Sequence, residues 1–252
     1  MVLWGAGGRM GQAIRACAER EPARYRIAAE GGRADDPTPA VAAGQVVIDF
    51  SSPAALAGLL AACAAQGKPI VVGTTGHSEA ERASISAAAQ VVPIVLAANF
   101  SVGINTLFWL AREAVRILGP GFDLEVIETH HRLKKDAPSG TARRLAEILA
   151  EGRSLSYAEH ARHGREGLVG ARPADEIGIH AVRGGDVVGE HTVLFADAGE
   201  RVELTHRASS RETFAAGSLR AAAWLVGQPP GLYDMEDVLG LRQQGSSPSP
   251  QP

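Results

Sequence analysis

The chain reads Met1-Val2-Leu3-Trp4-Gly5-Ala6-Gly7-Gly8-Arg9-Met10-Gly11 at its start, an apolar run followed at once by a glycine-rich turn. A helical pattern of apolar residues follows from Arg9 to Glu21, so the turn joins a predicted strand to a predicted helix. The backbone N–H groups of such a turn, with the helix N-terminus, can bind a pyrophosphate. The glycines fit G-x-x-G-x-x-G, because Met10 stands where the strict G-x-G-x-x-G motif requires its third glycine. A dinucleotide site is predicted, with a tight turn for close helix–strand packing as the alternative.

Short apolar runs alternate with helical patterns over the first hundred residues. Strands are predicted near residues 1–4, 25–29, 46–50, 69–72 and 92–97. Helices are predicted where Leu, Ile and Ala recur at helical spacing, over Arg9–Glu21, Pro53–Gln66 and Ser78–Ala89. This alternation is typical of a parallel sheet covered by helices.

A different pattern begins after Gly103. Its predicted elements are a helix over Ile104–Leu118, a strand over Asp123–Thr129, a helix over Thr141–Ala150, and a hairpin of strands Val187–Ala196 and Arg201–Arg207. An alanine-rich helix then extends to about Val226. The polar stretch from Gly152 to Asp175 has no clear period, and we interpret it as a mobile loop or an insertion.

These patterns predict an α/β protein with two domains. We expect a Rossmann-like parallel-sheet domain, formed by residues 1–102 and 211–241, to bind a dinucleotide. We expect a second α+β domain with a mixed sheet, residues 103–210, to bind the substrate and form the oligomer. Residues 242–252 are expected to form a disordered tail, since Ser, Pro, Gln and Gly make up residues 243–252.

Composition and charge exclude several classes of protein. With 25 Lys and Arg against 28 Asp and Glu, the net charge of -3 gives no electrostatic basis for a nucleic-acid partner. Cys17 and Cys63 lack CxxC spacing and neighbouring His, which argues against a zinc site or a disulfide scaffold. No apolar run approaches the ~20 residues of a membrane span, and no signal peptide is apparent. We therefore expect a cytoplasmic protein with no metal and no membrane partner.

Further polar or small residues follow the other predicted strands. Glu30 comes at the end of the second strand, where an acidic side chain would accept hydrogen bonds from a ribose. Gly73–Gly76 and Ala97–Ser101 follow two later strands. Because the carboxyl ends of parallel strands meet at one edge of the sheet, we expect these loops to face the same crevice as the glycine turn. A solvated surface Glu and two ordinary turns are the alternatives.

The stretch from Glu128 to Thr141 reads E-T-H-H-R-L-K-K-D-A-P-S-G-T and carries the strongest chemical signal. Five basic side chains lie within residues 130–135, followed by a turn that begins a predicted helix. Imidazoles exchange protons near neutral pH, and a helix N-terminus attracts anions. The stretch predicts acid–base chemistry on a small dicarboxylate, with a basic solvated loop as the alternative. Metal binding by His130 and His131 is disfavoured, because adjacent strand residues point to opposite faces.

Together these motifs resemble the 4-hydroxy-tetrahydrodipicolinate reductase family, also called dihydrodipicolinate reductases. The resemblance covers Gly5 to Leu241. The motifs that carry it are G-A-G-G-R-M-G, Asp49-Phe50, V-G-T-T-G, A-A-N-F-S-V-G, H-H-R-x-K-x-D-A-P-S-G-T and G-E-H-T at Gly189–Thr192. It implies NAD(P)H-dependent reduction of 4-hydroxy-tetrahydrodipicolinate to tetrahydrodipicolinate in lysine and diaminopimelate biosynthesis. It also implies a homotetramer.

The resemblance assigns roles to individual residues. His130 would donate or accept a proton, Lys134 would donate one, and His131, Gly140 and Thr141 would bind substrate. The residues expected to bind the dinucleotide are Gly5, Ala6, Gly7, Gly8, Arg9, Met10, Glu30, Gly73, Thr74, Thr75, Ala97, Ala98, Asn99 and Phe100.

One position departs from the pattern of many family members, in which an Arg follows the ribose-binding acid. Here the next residue is Gly31, with Arg33 nearby. Since Glu30 would repel a 2′-phosphate, we expect NADH to be used at least as well as NADPH. The sequence also suggests that Gly31→Arg would shift the preference toward NADPH.

Two other functions stay open on the residues alone. One is a Rossmann reductase that acts on a different small carboxylate, which would leave the H-H-R-x-K string unexplained. The other is a dinucleotide-sensing protein without turnover, which would need the glycine turn and Glu30 but not His130 and Lys134.

Overall fold

The structure is a computed structural model that describes residues 1–242. The predicted tail, residues 242–252, lies outside the described residues except for its first position. Two compact units are formed, one by Met1–Val102 with the chain from Arg211 onward, and one by Gly103–Ser210. The binding and oligomerisation roles expected of the two domains stay predictions.

The first unit contains a fully parallel six-stranded sheet in the order β11-β5-β4-β3-β1-β2. Its strands are β1 (Val2–Trp4), β2 (Ala29–Gly31), β3 (Val47–Asp49), β4 (Ile70–Val72), β5 (Pro93–Leu96) and β11 (Gly231–Tyr233). Its helices are α1 (Arg9–Arg20), α2 (Pro37–Ala43), α3 (Pro53–Ala65), α4 (Glu79–Ala88), α8 (Glu212–Leu225) and α9 (Met235–Leu239). The predicted Rossmann-like sheet is confirmed.

Side-chain alternation along these short strands builds a three-layer unit. Leu3 and Ile48 pack with residues of α1 and α8 on one face of the sheet. Val2, Trp4 and Val47 pack with residues of α2, α3 and α4 on the other face. Strands β1, β3 and β4 are buried along their whole length, as expected of parallel strands covered on both faces.

The second unit contains a mixed five-stranded sheet in the order β10-β9-β6-β8-β7. Its strands are β6 (Asp123–His130), β7 (Ala161–His163), β8 (Ile177–Arg183), β9 (Gly189–Asp197) and β10 (Glu200–Ala208). Its helices are α5 (Val102–Leu118), α6 (Gly140–Gly152) and α7 (Tyr157–His160). Strand β6 pairs parallel with β8 and antiparallel with β9. The predicted mixed sheet and its hairpin, β9 with β10, are confirmed.

Several expected elements need correction. Strand β2 lies at Ala29–Gly31 rather than at 25–29, because its pairing with β1 sets its bounds, and the buried Tyr25 precedes it. Helix α2, strand β11 and helix α9 were not predicted. The stretch 152–175 is not structureless, since it contains α7 and β7.

Ion pairs fix the rest of that stretch to the sheet. Arg165 pairs with Glu125 and Glu176, and Arg172 pairs with Asp123 and Glu125. These contacts replace the apolar core contacts that the polar sequence cannot provide.

Candidate active site

Strand β6 places its last polar side chains on the helix-covered face of the second sheet. Burial alternates along the strand, so that Leu124, Val126, Glu128 and His130 share one side. Leu124 and Val126 belong to the apolar core formed with α5 and α6. Glu128 and His130 continue the same buried face beyond that core, with exposed fractions of 0% and 8%.

The Glu128 carboxylate accepts hydrogen bonds from three parts of the chain. The Nδ1 of His130 lies 2.5 Å from one oxygen. Two nitrogens of the Arg183 guanidinium each donate at 2.8 Å, one to each oxygen. The backbone N–H of Ser139 donates at 3.0 Å. Burial alone would raise the pKa of Glu128, but the hydrogen bonds from Arg183 and His130 hold it below its usual value.

Two histidine rings meet beside this carboxylate. The rings of His130 and His191 form an edge contact with centroids 5.1 Å apart. Burial lowers the pKa of His130, while the hydrogen bond to Glu128 opposes that change. Burial lowers the pKa of His191 to about 3, so this imidazole is neutral near pH 7. We call Glu128, His130, Ser139, Arg183 and His191 the buried polar cluster.

The loop after β6 carries the other predicted catalytic side chain. The Nζ of Lys134 lies 2.9 Å from a carboxylate oxygen of the exposed Asp136, and this contact lowers the pKa of Asp136. The positive charge of Lys134 also contributes to lowering the pKa of His130. The buried Nδ1 of His131 has no hydrogen-bond partner among residues 1–242.

The predicted anion site corresponds to the start of helix α6. Ser139 is the N-cap, and its hydroxyl accepts a hydrogen bond from the backbone N–H of Ala142 at 3.1 Å. The same hydroxyl lies 3.1 Å from Nε2 of His191. Gly140 is exposed, and a Cβ placed on it would meet nothing within 4 Å. Gly140 and Thr141 stand in a first turn without an acidic side chain, which leaves the helix N-terminus suited to an anion.

The backbone of the glycine turn in the first unit packs closely against neighbouring backbone, in places where a side chain would not fit. Gly5 has a positive φ of 85°, and a Cβ there would lie 2.6 Å from the carbonyl oxygen of Phe50. A Cβ on Gly11 would lie 2.4 Å from the carbonyl oxygen of Gly5, so the first turn of helix α1 packs tightly against the glycine turn. Helix α1 begins without a side-chain cap or an acidic residue in its first turn. Exposed Gly7, Gly8 and Arg9 can therefore approach a phosphate, whereas Ala6 is buried and Met10 half-buried.

Glu30 is the middle residue of the three-residue strand β2 and pairs in register with Leu3, one position before the end of the strand. Its carboxylate accepts two hydrogen bonds from the Arg15 guanidinium, at 2.7 and 2.5 Å. The next residue, Gly31, pairs in register with Trp4, and a Cβ on it would lie 2.1 Å from the buried Trp4 ring. Gly31→Arg is therefore the wrong way to test cofactor preference, because it would displace the core.

The other predicted strand-end loops lie at the same edge of this sheet. Asp49 is fully buried and accepts hydrogen bonds from the hydroxyls of Ser51 and Thr74, at 2.6 and 2.8 Å. The Thr74 side chain therefore stabilises the loop through Asp49. Gly73 packs against the Phe50 ring, and Thr75 is exposed.

The loop after β5 combines core and exposed residues. Ala97 and Phe100 are buried, with exposed fractions of 8% and 2%, so Phe100 can offer a ligand only its backbone. Ala98 is exposed, and the side chain of Asn99 accepts a hydrogen bond from the Ser101 N–H at 2.9 Å. We call the glycine turn, Glu30 and Gly31 at the end of β2, and the loops after β2, β4 and β5 the strand-end edge.

Several functional contacts were missed in the sequence. Arg15, Asp49, Ser139, Arg183 and His191 were given no role. Glu128 was also given none, although its even spacing from Leu124 and Val126 placed it on the buried face. Within residues 1–242, no group of three or more His, Cys, Asp or Glu side chains could hold a metal ion.

Comparison with known proteins agrees with this arrangement. A family model described as "Dihydrodipicolinate reductase, N-terminus" matches residues 1–100, and one described as "Dihydrodipicolinate reductase, C-terminus" matches residues 103–239. The chain belongs to the dihydrodipicolinate reductase family. The family resemblance and the oxidoreductase class expected from the sequence are confirmed.

Individual relatives match over nearly their full length. The chain is 56% identical over 243 residues to the 4-hydroxy-tetrahydrodipicolinate reductase of Akkermansia muciniphila, covering 96% of this chain and 98% of that protein. It is 49% identical over 265 residues to the reductase of the same name from Aromatoleum aromaticum, covering 96% and 95%.

Solved structures share the fold. A dipicolinate-bound dihydrodipicolinate reductase from Paenisporosarcina sp. TG-14 has a TM-score of 0.73 and 25% identity, covering 92% of this chain and 96% of that one. A probable dehydrogenase from Thermotoga maritima, at 12% identity and a TM-score of 0.56, shares the fold alone. None of the helices in residues 1–242 has the length and apolar character needed to cross a membrane.

Proposed function

We propose that this protein catalyses the NAD(P)H-dependent reduction of 4-hydroxy-tetrahydrodipicolinate to tetrahydrodipicolinate in lysine and diaminopimelate biosynthesis. The observation that carries the proposal is that one carboxylate contacts both the acid–base residue His130 and the start of helix α6, where an anion can bind. His130 is held by the buried Glu128, and the same carboxylate binds the backbone of Ser139 at the start of α6. Relatives named 4-hydroxy-tetrahydrodipicolinate reductase, at 56% and 49% identity, support the choice of substrate.

The strand-end edge fits a dinucleotide. Gly5 and Gly11 let the turn fold closely on its own backbone, a Cβ on Gly7 would meet nothing within 4 Å, and the first turn of α1 has no acidic side chain to repel a pyrophosphate. A bound nicotinamide would supply the hydride for C4 of the substrate ring. The Arg9 side chain is exposed beside the turn and adds a positive charge. The protein's part here is to bind and orient.

Residues of the second unit supply the proton that the reduction requires. Loss of the 4-hydroxyl as water leaves a conjugated acceptor, and hydride addition at C4 sends an electron pair toward C3 or the ring nitrogen. That site takes up a proton, which the cationic form of His130 or the ammonium of Lys134 supplies. Because Glu128 occupies Nδ1 of His130, Nε2 is the nitrogen that exchanges the proton. The ammonium of Lys134 also stabilises the negative charge that develops during reduction.

The two carboxylates of the substrate match the positive end of α6. The backbone N–H groups of Gly140 and Thr141 and the side chain of His131 bind them in this proposal. A dicarboxylate of related shape, dipicolinate, is bound by the solved relative from Paenisporosarcina. We use dipicolinate as the equilibrium probe for this site in the experiments below.

Cofactor preference depends on the charges around Glu30. Its pair with Arg15 neutralises the carboxylate in part, which reduces the repulsion of a 2′-phosphate. The loop after β2 adds Asp35 and Asp36, whose carboxylates accept backbone hydrogen bonds from Gly32 and Thr38. These two carboxylates therefore offset the attraction that Arg33, the one cation of residues 32–36, would exert on a 2′-phosphate. We propose that NADH is used at least as efficiently as NADPH, by a factor of about one to ten.

The assembly and location follow the family expectation. We propose a cytoplasmic homotetramer whose subunit contacts come from the strands between Asp123 and Arg207. Sedimentation at micromolar concentration tests the assembly, and a monomer would contradict it.

Turnover separates this function from nucleotide sensing. The protein is incubated with NADH and freshly generated 4-hydroxy-tetrahydrodipicolinate while the absorbance of NADH is followed. Substrate-dependent oxidation supports the proposal. NADH binding without oxidation would identify a sensing protein instead, and oxidation only with other carboxylate substrates would identify a different reductase.

A further inference from the structure

Glu128 lies where burying a charged carboxylate costs free energy. It is fully buried on the helix-covered face of the second sheet, where the preceding residues of that face are Leu124 and Val126. A lone carboxylate there would take up a proton instead of staying charged. The bidentate contact with Arg183, whose side chain is 21% exposed, compensates the charge.

The same carboxylate contacts both parts of the proposed chemistry. One oxygen lies 2.5 Å from Nδ1 of His130, and the other accepts the N–H of Ser139 at 3.0 Å. Arg183 also donates to the backbone carbonyl of Asp136 at 2.7 Å. Glu128 and Arg183 thus connect β6, β8 and the loop 131–139 in one hydrogen-bonded unit.

We propose that Glu128 and Arg183 are positioning residues for His130. Glu128 accepts the Nδ1–H of His130, which fixes the ring and leaves Nε2 toward the substrate. Arg183 is one of three groups that donate to the Glu128 carboxylate, with His130 and the Ser139 N–H, and it holds the two oxygens in the plane that this contact needs. The inference rests on the proposed function, in which His130 exchanges a proton with the substrate.

Room for the ring supports this orientation. A Cβ on Gly189 would lie 3.0 Å from Nε2 of His130, so the absence of a side chain there leaves space beside that nitrogen. His191 is the register partner of Glu128 on the neighbouring strand β9. Its Nε2 lies 3.1 Å from the Ser139 hydroxyl. His191 therefore does not compete for the Glu128 carboxylate.

The charges that face His130 predict opposite effects of two substitutions. Glu128 raises the pKa of His130, whereas Lys134 and Arg183 lower it. His191 stays neutral near pH 7, and so contributes no charge there. Removing the Glu128 charge moves the His130 titration to lower pH, and removing the Arg183 charge moves it to higher pH.

The kinetic test uses E128Q, which keeps an acceptor, and R183Q, which keeps a donor. We expect kcat with NADH to fall about tenfold to a hundredfold in each, less than for loss of the acid–base group itself. The limb of the kcat–pH profile that reports His130 moves to lower pH in E128Q and to higher pH in R183Q. In E128Q/R183Q the limb lies between them, because both charges are gone.

Matched controls separate positioning from damage to the fold. Glu147→Gln removes a carboxylate that pairs with Arg143 and Arg144 on α6, and leaves kcat and the pH profile as in the unmutated protein. Dipicolinate affinity and thermal unfolding report the integrity of the second unit. A fall in kcat without movement of the pH limb, or movement in the same direction in both variants, would overturn the inference.

A spectroscopic readout decides the question without turnover. In protein labelled with 15N-histidine, the His130 signals are those that disappear in His130→Gln. We expect a protonated Nδ1 and an unprotonated Nε2 in the neutral ring of the unmutated protein, as the Glu128 contact requires. A ring protonated on Nε2 would overturn the inference even if neither E128Q nor R183Q folds. If the unmutated protein does not oxidise NADH with its substrate, the proposed function fails, while this spectrum still tests the contact.

Discussion

The strand-end edge and the buried polar cluster are built by different physical means. At the strand-end edge the exposed Gly7 and Gly8 offer backbone, and the main charge pair, Arg15 with Glu30, is exposed to solvent. In the cluster, Glu128, His130 and His191 are buried, and each charge depends on named partners. A backbone site tolerates side-chain change wherever a Cβ fits. A buried charged site tolerates little change, because each removal leaves a partner uncompensated.

Acid stability is the largest effect that this comparison predicts. The folded protein keeps His191 neutral down to a pKa of about 3, whereas the unfolded chain takes up the proton near 6.5. The unfolded state then binds more protons between these values, so stability is complete above pH 6.5 and falls as the pH is lowered. The loss is about 1.4 kcal/mol for each pH unit in that window. Urea unfolding between pH 4 and 7 measures it.

His191→Gln is the matched variant for that slope. Gln keeps an acceptor for the Ser139 hydroxyl but does not titrate. The free energy of unfolding should therefore depend less steeply on pH than in the unmutated protein. Equal slopes in the two proteins would show that His191 is not the group responsible.

At the strand-end edge, the prediction of largest effect concerns Gly31. Gly31→Arg should destabilise the protein by about 1–3 kcal/mol, because its Cβ would meet the buried Trp4 ring at 2.1 Å. Thermal unfolding measures the change. Gly32→Arg is the control, since a Cβ on Gly32 meets only an Asp35 oxygen at 3.8 Å. This control should keep stability and favour NADPH; equal stability of the two variants would contradict the steric account.

Gly140→Ala tests the anion site at the start of α6. Open space surrounds the position, so the fold accepts a methyl group, but the methyl would crowd a carboxylate bound at the helix N-terminus. We expect the KM for substrate to rise about tenfold, the effect of weakening one hydrogen bond to a charged group. Dipicolinate titration and steady-state kinetics measure it, with NADH affinity as the control. Unchanged KM and dipicolinate affinity would place the carboxylate elsewhere.

The smallest effect is expected at Arg15. Arg15→Gln removes the cation beside Glu30, so NADPH should lose up to about fivefold in kcat/KM relative to NADH, as for a screened surface charge. The ratio of kcat/KM for the two cofactors, at fixed salt, is the measurement. Arg24→Gln, a surface cation paired with Glu21, is the control. A ratio that moves equally in both variants would remove Arg15 from the account.

The same comparison explains what could be predicted from the sequence. The glycine turn is local, so the order of strand, turn and helix could be recognised from one short stretch. Strand β2 could not be placed, because a strand of three residues is defined by its pairing with β1 and not by its own β-propensity. The Trp4 ring leaves no room for a side chain at Gly31, and only the register of β1 with β2 brings those two residues together.

Only part of the buried polar cluster could be predicted, because strand pairing brings its other members together. His130 and Lys134 lie in one motif, and alternation along β6 could have indicated Glu128. Arg183 and His191 come from two other strands, 55 positions from Glu128 and 52 from Ser139. Their proximity depends on the parallel pairing of β6 with β8 and the antiparallel pairing with β9, which no periodicity specifies.

The division of work between the two regions is tested most directly by His130→Ala and Lys134→Ala, with kcat and the Kd for NADH measured on the same preparations. We predict that each substitution lowers kcat by ~10² or more, the scale of a lost general acid, while the Kd for NADH stays within twofold of its original value, roughly the error of such a comparison. A Kd for NADH that rises in parallel with the loss of turnover would contradict the account, because it would place these residues in the nucleotide site.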